Sequence, residues 1–265
     1  MNAVLTAVPD FFSQTLAYRE FLKQSVIRDL KTKYKRNVLG YVWTMLHPLA
    51  MMAILSVVFS QLLRVGIEDY AIFLFCGLLP WNYLQSTILM SLGTIRASAR
   101  LFSQVPVPKF LFVLSVACSN FVNLLFAIVP LVALCWFFDH SLTYRALLFP
   151  IMLIPIFLFT IGIALIVSTF NIFFNDTNHL TEVFLSAIYF LTPILYQQSM
   201  LPPEYQWWFE WNPLVAQIEL FRGVFYANAL PDPWMYGTAL LHALVALVIG
   251  LLFFRKLEDK FLYYV

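Results

Sequence analysis

The stretch FLFVLSVACSNFVNLLFAIVPLVALCWFF, Phe110 to Phe138, carries no Asp, Glu, Lys or Arg. An α-helix rises about 1.5 Å per residue, so about 20 apolar residues cross the ~30 Å hydrocarbon core of a bilayer, and this stretch is long enough. It lacks the period-two alternation that a barrel strand requires. Five more charge-free runs extend from Asn37 to Leu63, Tyr70 to Ile95, Ala146 to Asn175, Val183 to Pro203 and Pro233 to Phe254. A buried soluble helix rarely stays uncharged for so long, and six such runs leave no charged surface for a soluble fold. Composition agrees: 62% of the 265 residues are apolar and 11% charged, against roughly 45–50% and 25% in soluble domains. The expectation is an all-α integral membrane protein with six transmembrane helices.

Orientation follows from the residues between the runs. Thirteen of the sixteen Lys and Arg fall in the N-terminal segment, the loop after the second run and the C-terminal tail, while the opposite loops hold only Arg64, Arg145 and Arg222. The positive-inside rule then puts both termini in the cytoplasm, which an even number of spans allows. Sorted by side, the formal net charge of +2 separates into +6 inside and −4 outside. The loop Asp176 to Glu182 must also lie inside, yet has no Lys or Arg. The start, MNAVLTAVPDFF, lacks the basic region and apolar run of a secretory signal, so the N-terminus is expected to be retained. Cys76, Cys118 and Cys135 all lie inside predicted spans and read as packing residues without metal spacing. Two regions result: a cytoplasmic interface helix within residues 1–36 and a six-helix membrane domain over residues 37–265.

Three segments are more than simple spans. In Phe11 to Arg36, Leu22, Val26, Leu30 and Tyr34 recur every four residues, while Arg28, Lys31 and Lys35 share another face. This predicts an amphipathic helix along the cytoplasmic membrane surface. Its basic end, Arg28 to Arg36, carries five positive charges and one negative, attracting anionic headgroups at about 1 kcal/mol per charge. It serves as a topology anchor, or it also gathers a phosphorylated lipid or a cytoplasmic partner. In RASARLFSQVPVPK, Arg96 to Lys109, the first half is helix-compatible before Pro106 and Pro108 impose an extended chain. This is either a plain connector or a helix on which a motor domain pushes. From Leu201 to Asp232, Pro202-Pro203 and Asn212-Pro213 reset the chain twice, predicting two short helices with Trp207, Trp208 and Trp211 in one and a Glu219/Arg222 pair at i, i+3 in the other. These aromatics form an interfacial belt or a lid over an outward-facing exit.

Chemistry that is missing narrows the function further. No phosphate-cradling G-x-x-x-x-G-K-[ST] occurs and no glycine precedes a lysine, so ATP and Mg would have to be bound by another chain. No catalytic residue, metal site or resident cofactor is expected in this chain, and nothing points to nucleic acid. The runs hold no full charge; only His47 and His242 titrate there, read as packing or interfacial residues. Aromatics make up 18%, and their ring faces suit the apolar faces of sugars.

The run Arg28-Asp29-Leu30-Lys31-Thr32-Lys33-Tyr34-Lys35-Arg36, followed by Leu39-Gly40, Trp43, Leu46 and Pro48, resembles the N-terminal signature of membrane subunits of polysaccharide-exporting ABC transporters of the ABC-2 class. Phe190-Leu191-Thr192-Pro193-Ile194 and Asn212-Pro213-Leu214 with Ile218-Glu219 and Phe221-Arg222 fit the same family, whose members export O-antigen, capsular polysaccharide or teichoic acid. The resemblance implies a homodimer of six-span subunits in the bacterial inner membrane, with two copies of a separate ATP-binding subunit docked beneath. It places the interface helix on Phe11 to Lys35, a coupling helix on Arg96 to Pro106 with Arg96, Arg100 and Phe102 facing the ATPase, and two periplasmic gate helices on Pro203 to Tyr226 with Trp207, Trp211, Glu219 and Arg222. A polyprenyl-diphosphate-linked glycan, O-antigen foremost, would be drawn in by Arg28, Lys31, Lys33, Lys35 and Arg36. It would pass along the interface of the first and fifth spans, by Trp43, Phe59, Tyr189 and Tyr196. The family's Phe-Arg-Asp after the fourth span is here Phe174-Asn175-Asp176, which leaves the role of that arginine open. Two other classes fit: an ABC-2 permease for another lipid or a drug, and a membrane-embedded enzyme on lipid-linked sugars using Glu204, Glu210, Glu219 or Asp232.

Overall fold

The computed structural model describes residues 2–34, 42–62, 66–104 and 106–264. Its helices are α1 (Asn2–Ala17), α2 (Arg19–Tyr34), α3 (Val42–Ser56, continued by π-helical turns over Val57–Leu62), α4 (Tyr70–Ala97), α5 (Ala99–Gln104), α6 (Phe110–Phe137), α7 (Phe149–Phe173), α8 (Thr177–Leu191), α9 (Gln206–Trp211), α10 (Pro213–Phe225), α11 (Pro233–Leu257) and α12 (Phe261–Tyr264). No strand occurs among the described residues. Four stretches are long and apolar enough to cross a membrane: Tyr70–Ala97, Phe110–Phe137, Tyr144–Phe173 and Pro233–Tyr264. The chain is therefore a multi-pass membrane protein.

The first and fifth charge-free runs hold shorter helices than expected. α3 and its π-helical continuation together rise about 31 Å, enough to cross. α8 starts inside the supposed loop Asp176 to Glu182 and ends at Leu191, twelve residues short of Pro203. Its 15 residues rise only about 22 Å. The cause of the early stop is Pro193, which pushes Thr192 out of helical conformation to φ −105°, ψ 137°. At the N-terminus the expected single helix from Phe11 is two, since α1 begins at Asn2 and Tyr18 interrupts the chain before α2. The expected pair of short helices before the last span is present as α9 and α10, and the split at Asn212 follows from Pro213, with the Asn212 side chain accepting from the Leu214 N–H at 3.0 Å.

Two apolar clusters fill the bundle. The outer one gathers Phe75, Leu79, Ile194, Phe221 and Phe225, and the inner one gathers Phe11, Phe110, Leu165, Phe254 and Phe261. Backbones approach most closely where α7 crosses α11. A Cβ on Gly162 would lie 2.4 Å from the Ala246 carbonyl carbon, and one on Gly250 would lie 2.4 Å from the Gly162 oxygen. Small residues at these points let the helices touch without intervening side chains, which is how membrane helices gain dispersion energy when water supplies no drive.

At the other end, α1, the start of α6 and the C-terminal tail are knotted together. Arg255 pairs with Asp10 at 3.1 Å, Lys109 donates to the Glu258 carbonyl at 2.5 Å and lies over the Phe261 ring, and Tyr18 Oη donates to the Pro106 carbonyl. Phe11 meets Phe110 and Phe21 meets Phe112 across the same junction, so α1 and α2 are packed onto the bundle.

Gly162→Leu forces α7 and α11 apart and should lower unfolding stability by about 1–3 kcal/mol, read as a lower melting temperature of the detergent-solubilised protein.

Candidate functional site

Where α8 stops, the chain needs partners for its freed carbonyls, and Arg222 of α10 supplies them. Its side chain is almost fully buried. Nη1 donates to Pro193 O at 2.6 Å and to Glu219 Oε1 at 2.8 Å, Nη2 donates to Ile194 O at 2.7 Å, and Nε reaches Phe73 O at 3.4 Å. The guanidinium lies flat against the Phe73 ring, 3.7 Å from its centroid. Tyr70 Oη donates to the next carbonyl, Leu195 O, at 2.8 Å, and Asn212 Nδ2 donates to Thr192 Oγ1 at 3.2 Å. Every carbonyl from Pro193 to Leu195 thus accepts a hydrogen bond from α4 or α10, the condition for irregular backbone inside a membrane. Gly77 makes the room, since a Cβ there would stand 2.8 Å from Arg222 Nη2.

The remaining expected gate residues are differently placed. Trp207 and Trp211 of α9 are exposed, and Glu219 is half-buried with Arg222 as its partner. Beyond α10 the outer loops are clamped: His140 Nδ1 meets Asp69 Oδ2 at 2.7 Å, its Nε2 meets Tyr226 O at 3.0 Å, and Tyr226 Oη donates to Glu68 O. Asp69, Asp139 and Asn228 take left-handed backbone conformations there.

On the basic run, Arg28 and Lys31 are exposed on α2, and Arg28 donates twice to Asp29 Oδ1. Burial holds the Lys33 ammonium below its ordinary value. Lys35 and Arg36 lie outside the described residues. Of the coupling residues, Arg96 ends α4 and Arg100 is exposed on α5. Phe102 belongs to α5 as well. Arg96 bonds the Asn175 side chain and donates to Ile172 O at 3.0 Å, so it delivers a cation to the one inner loop that has none of its own.

The four expected path aromatics do not form one line. Phe59 stacks on Tyr70 at the outer end, Tyr196 meets Phe209 of α9, Tyr189 packs on Trp81, and Trp43 alone lines a cleft of 380 Å³. That cleft lies between α3, α4 and α6, with Lys33 of α2 on its wall. It is lined by side chains that counting charges passes over: Asn82, Gln85 and Ser86 on one face of α4, Asn120 and Asn123 on α6, and His47 on α3. Their spacings, i, i+3, i+4 and i, i+3, put each set on a single helix face and were readable in the sequence. A second, apolar groove of 870 Å³ runs along α8, between Phe159 and Ile163 of α7, Phe184 and Ile188 of α8, and Trp208 and Trp211 of α9.

The described residues thus form an all-helical multi-pass fold with a short helix between two long apolar stretches and a helix pair broken at Pro213. The chain belongs to the ABC-2 type transporter family, whose model matches residues 20–226. It is 30% identical over 235 residues to an O-antigen export system permease protein RfbA of Klebsiella pneumoniae, covering 88% of this chain and 90% of that one. A protein of the same name from Myxococcus xanthus is 28% identical, over 81% of this chain and 84% of its own. The polysialic acid transport protein KpsM of Escherichia coli is 26% identical over 89% of this chain and 93% of its own.

Removing the Arg222 side chain should unfasten the outer half. Arg222→Met orphans at least the Pro193 and Ile194 carbonyls, at about 1–3 kcal/mol each. The expected outcome is a lower melting temperature in detergent together with faster proteolysis between residues 197 and 205. Arg222→Lys should rescue only in part, because one ammonium cannot reproduce the planar fork.

Proposed function

We propose that this chain is the channel-forming permease subunit of an ATP-driven exporter that carries a polyprenyl-diphosphate-linked polysaccharide, of O-antigen type, across a bacterial inner membrane. The observation that carries the reading is the likeness to O-antigen export permeases over nearly the whole length of both chains. The lack of a nucleotide-binding loop supports the division of labour: two copies of a separate ABC subunit bind ATP and Mg and push on α5 through Arg96, Arg100 and Phe102. Six spans are reached by adding α3 and α8 to the four long helices, with the segment beyond α8 covered by α10. Both termini lie in the cytoplasm, as the distribution of Lys and Arg requires.

In this reading two copies meet along α3 and α8, which carry exposed apolar side chains such as Met51, Ile54, Val57, Leu180, Val183 and Phe184. Arg28, Lys31, Lys33, Lys35 and Arg36 collect the diphosphate at the inner surface, where charge-assisted contacts to phosphate are strong. The helices α9 and α10, with Trp207, Trp211, Glu219 and Arg222, close the periplasmic end. Membrane lipids surround the rest. The apolar groove beside α8 favours a second reading, a permease for a free lipid, because it suits a hydrocarbon chain.

Affinity purification of the tagged chain from its host membrane should return a P-loop ATPase in equal amount, and recovery of the chain alone under mild detergent would contradict the proposal. Replacing Lys31, Lys33 and Lys35 together by Gln should lower surface polysaccharide several-fold while the complex still assembles. A permease for a free lipid would leave surface polysaccharide unchanged when the chain is deleted.

A further inference from the structure

The amide-lined cleft has a use that neither the gate nor the basic run absorbs. Asn82 to Ser86 lie midway along α4, and Asn120 to Asn123 lie midway along α6, each helix being 28 residues long. The surrounding sequence is apolar, and moving an amide into hydrocarbon without a hydrogen-bond partner is strongly unfavourable. Partners inside the chain are few. Asn82, Ser86 and His47 make no hydrogen bond among the described residues. Gln85 uses only its oxygen, which accepts from Trp81 Nε1 at 3.2 Å, and its two N–H donors remain. Asn120 makes two long contacts, to Asn123 at 3.4 Å and the Met90 sulfur at 3.5 Å. Such a face cannot sit against lipid tails, so it faces water or a polar ligand.

The lining also says what kind of ligand. Among the described residues no carboxylate lines the cleft, and the cation on its wall is Lys33, at the α2 side. Neutral amides present a donor and an acceptor side by side, the complement of neighbouring hydroxyls on a sugar ring. Trp43, about half exposed, offers a ring face to the apolar side of the same sugar. At 380 Å³ the cleft is small for a ligand site, with room for one or two hexose units.

We propose that this cleft is a sugar-binding subsite on the export path, in which Asn82, Gln85, Asn120 and Asn123 exchange hydrogen bonds with glycan hydroxyls and Trp43 covers a ring face. Lys33 then stands where the phosphate end of the chain would lie. The proposal rests on the polysaccharide-export reading and deepens it. Because the amide bonds are individually weak and exchangeable, the subsite holds each sugar briefly and passes it on, as a path for a long chain must.

The test compares the full complex carrying Asn82→Leu with Asn123→Leu against wild type and against the conservative Asn82→Gln. Loss of two hydrogen bonds worth about 1 kcal/mol each predicts about a tenfold or greater fall in glycan export for the leucine double variant. Asn82→Gln, which keeps an amide at the position, should recover most of the export that the leucine substitution loses, and ATPase binding and melting temperature should be kept in both. A double variant that exports at the wild-type rate would overturn the subsite while leaving the export reading intact. A double variant that fails to assemble with its second copy would also overturn it, identifying the face as packing between copies. If the wild-type complex exports no glycan at all, the failure belongs to the export reading. Independently, Ser86→Cys should react with a water-soluble methanethiosulfonate in membranes and be slowed several-fold by the free oligosaccharide of the host's own surface glycan. An unreactive Cys at 86 would show a dry face and contradict the proposal.

Discussion

The guanidinium of Arg222 is the contact on which the outer half of the molecule depends. Buried backbone needs hydrogen-bond partners, and Pro193 breaks α8 where Ile194 and Leu195 are buried in the protein. Five N–H groups in a rigid plane can serve several acceptors at once, and here they reach Pro193, Ile194, Glu219 and Phe73 from a single buried position. Gly77 is tied to the same contact, because the space its missing side chain leaves is where Nη2 lies. A buried charge is tolerated when it is well hydrogen-bonded, and this one makes four hydrogen bonds and also gains the face of Phe73. The end of α8 and the whole of α10 are therefore mechanically one piece.

The same helix that meets Arg222 at one end of the bundle reaches the start of α8 at the other. α4 contributes Phe73 and Tyr70 to the break, and its last turn contributes Arg96 to Asn175 and Ile172 just before α8 begins. Directly after α4 comes α5, the short helix proposed to receive the ATPase. In the proposed mechanism a push on α5 passes to a rod about 42 Å long that touches both ends of α8. The amide face at Asn82, Gln85 and Ser86 lies on this rod, midway between its two contacts. The proposed coupling, gate and sugar contacts are arranged along one helix.

What the sequence disclosed, and what it concealed, follows from which physical signal was counted. Counting full charges found the four long spans, because exclusion of charge from hydrocarbon is the strongest local signal in such a chain, and the prolines at 202, 203 and 213 pointed to the two short helices before the last span. The same count carried the fifth run through Pro193 to Pro203, since proline is uncharged and its effect is on backbone conformation. It also passed over Asn82, Gln85, Asn120 and Asn123, whose amides are neutral yet expensive in lipid. The Glu219/Arg222 pair was visible as an i, i+3 spacing, but its burial was not, because the carbonyls it serves come from residues 28 and more positions away. Trp43, Phe59, Tyr189 and Tyr196 were chosen by position along the chain, and only contacts between helices could separate the one beside the cleft from those at the outer end.

The account stands or falls on directed movement of a lipid-linked glycan. The decisive measurement is the appearance of radiolabelled polyprenyl-diphosphate-linked polysaccharide inside sealed inverted vesicles that hold only this chain and its P-loop ATPase. Accumulation that requires hydrolysable ATP, and that stops when either chain is omitted, is the predicted result. Accumulation without ATP, or none with both chains assembled and hydrolysing ATP, would contradict it.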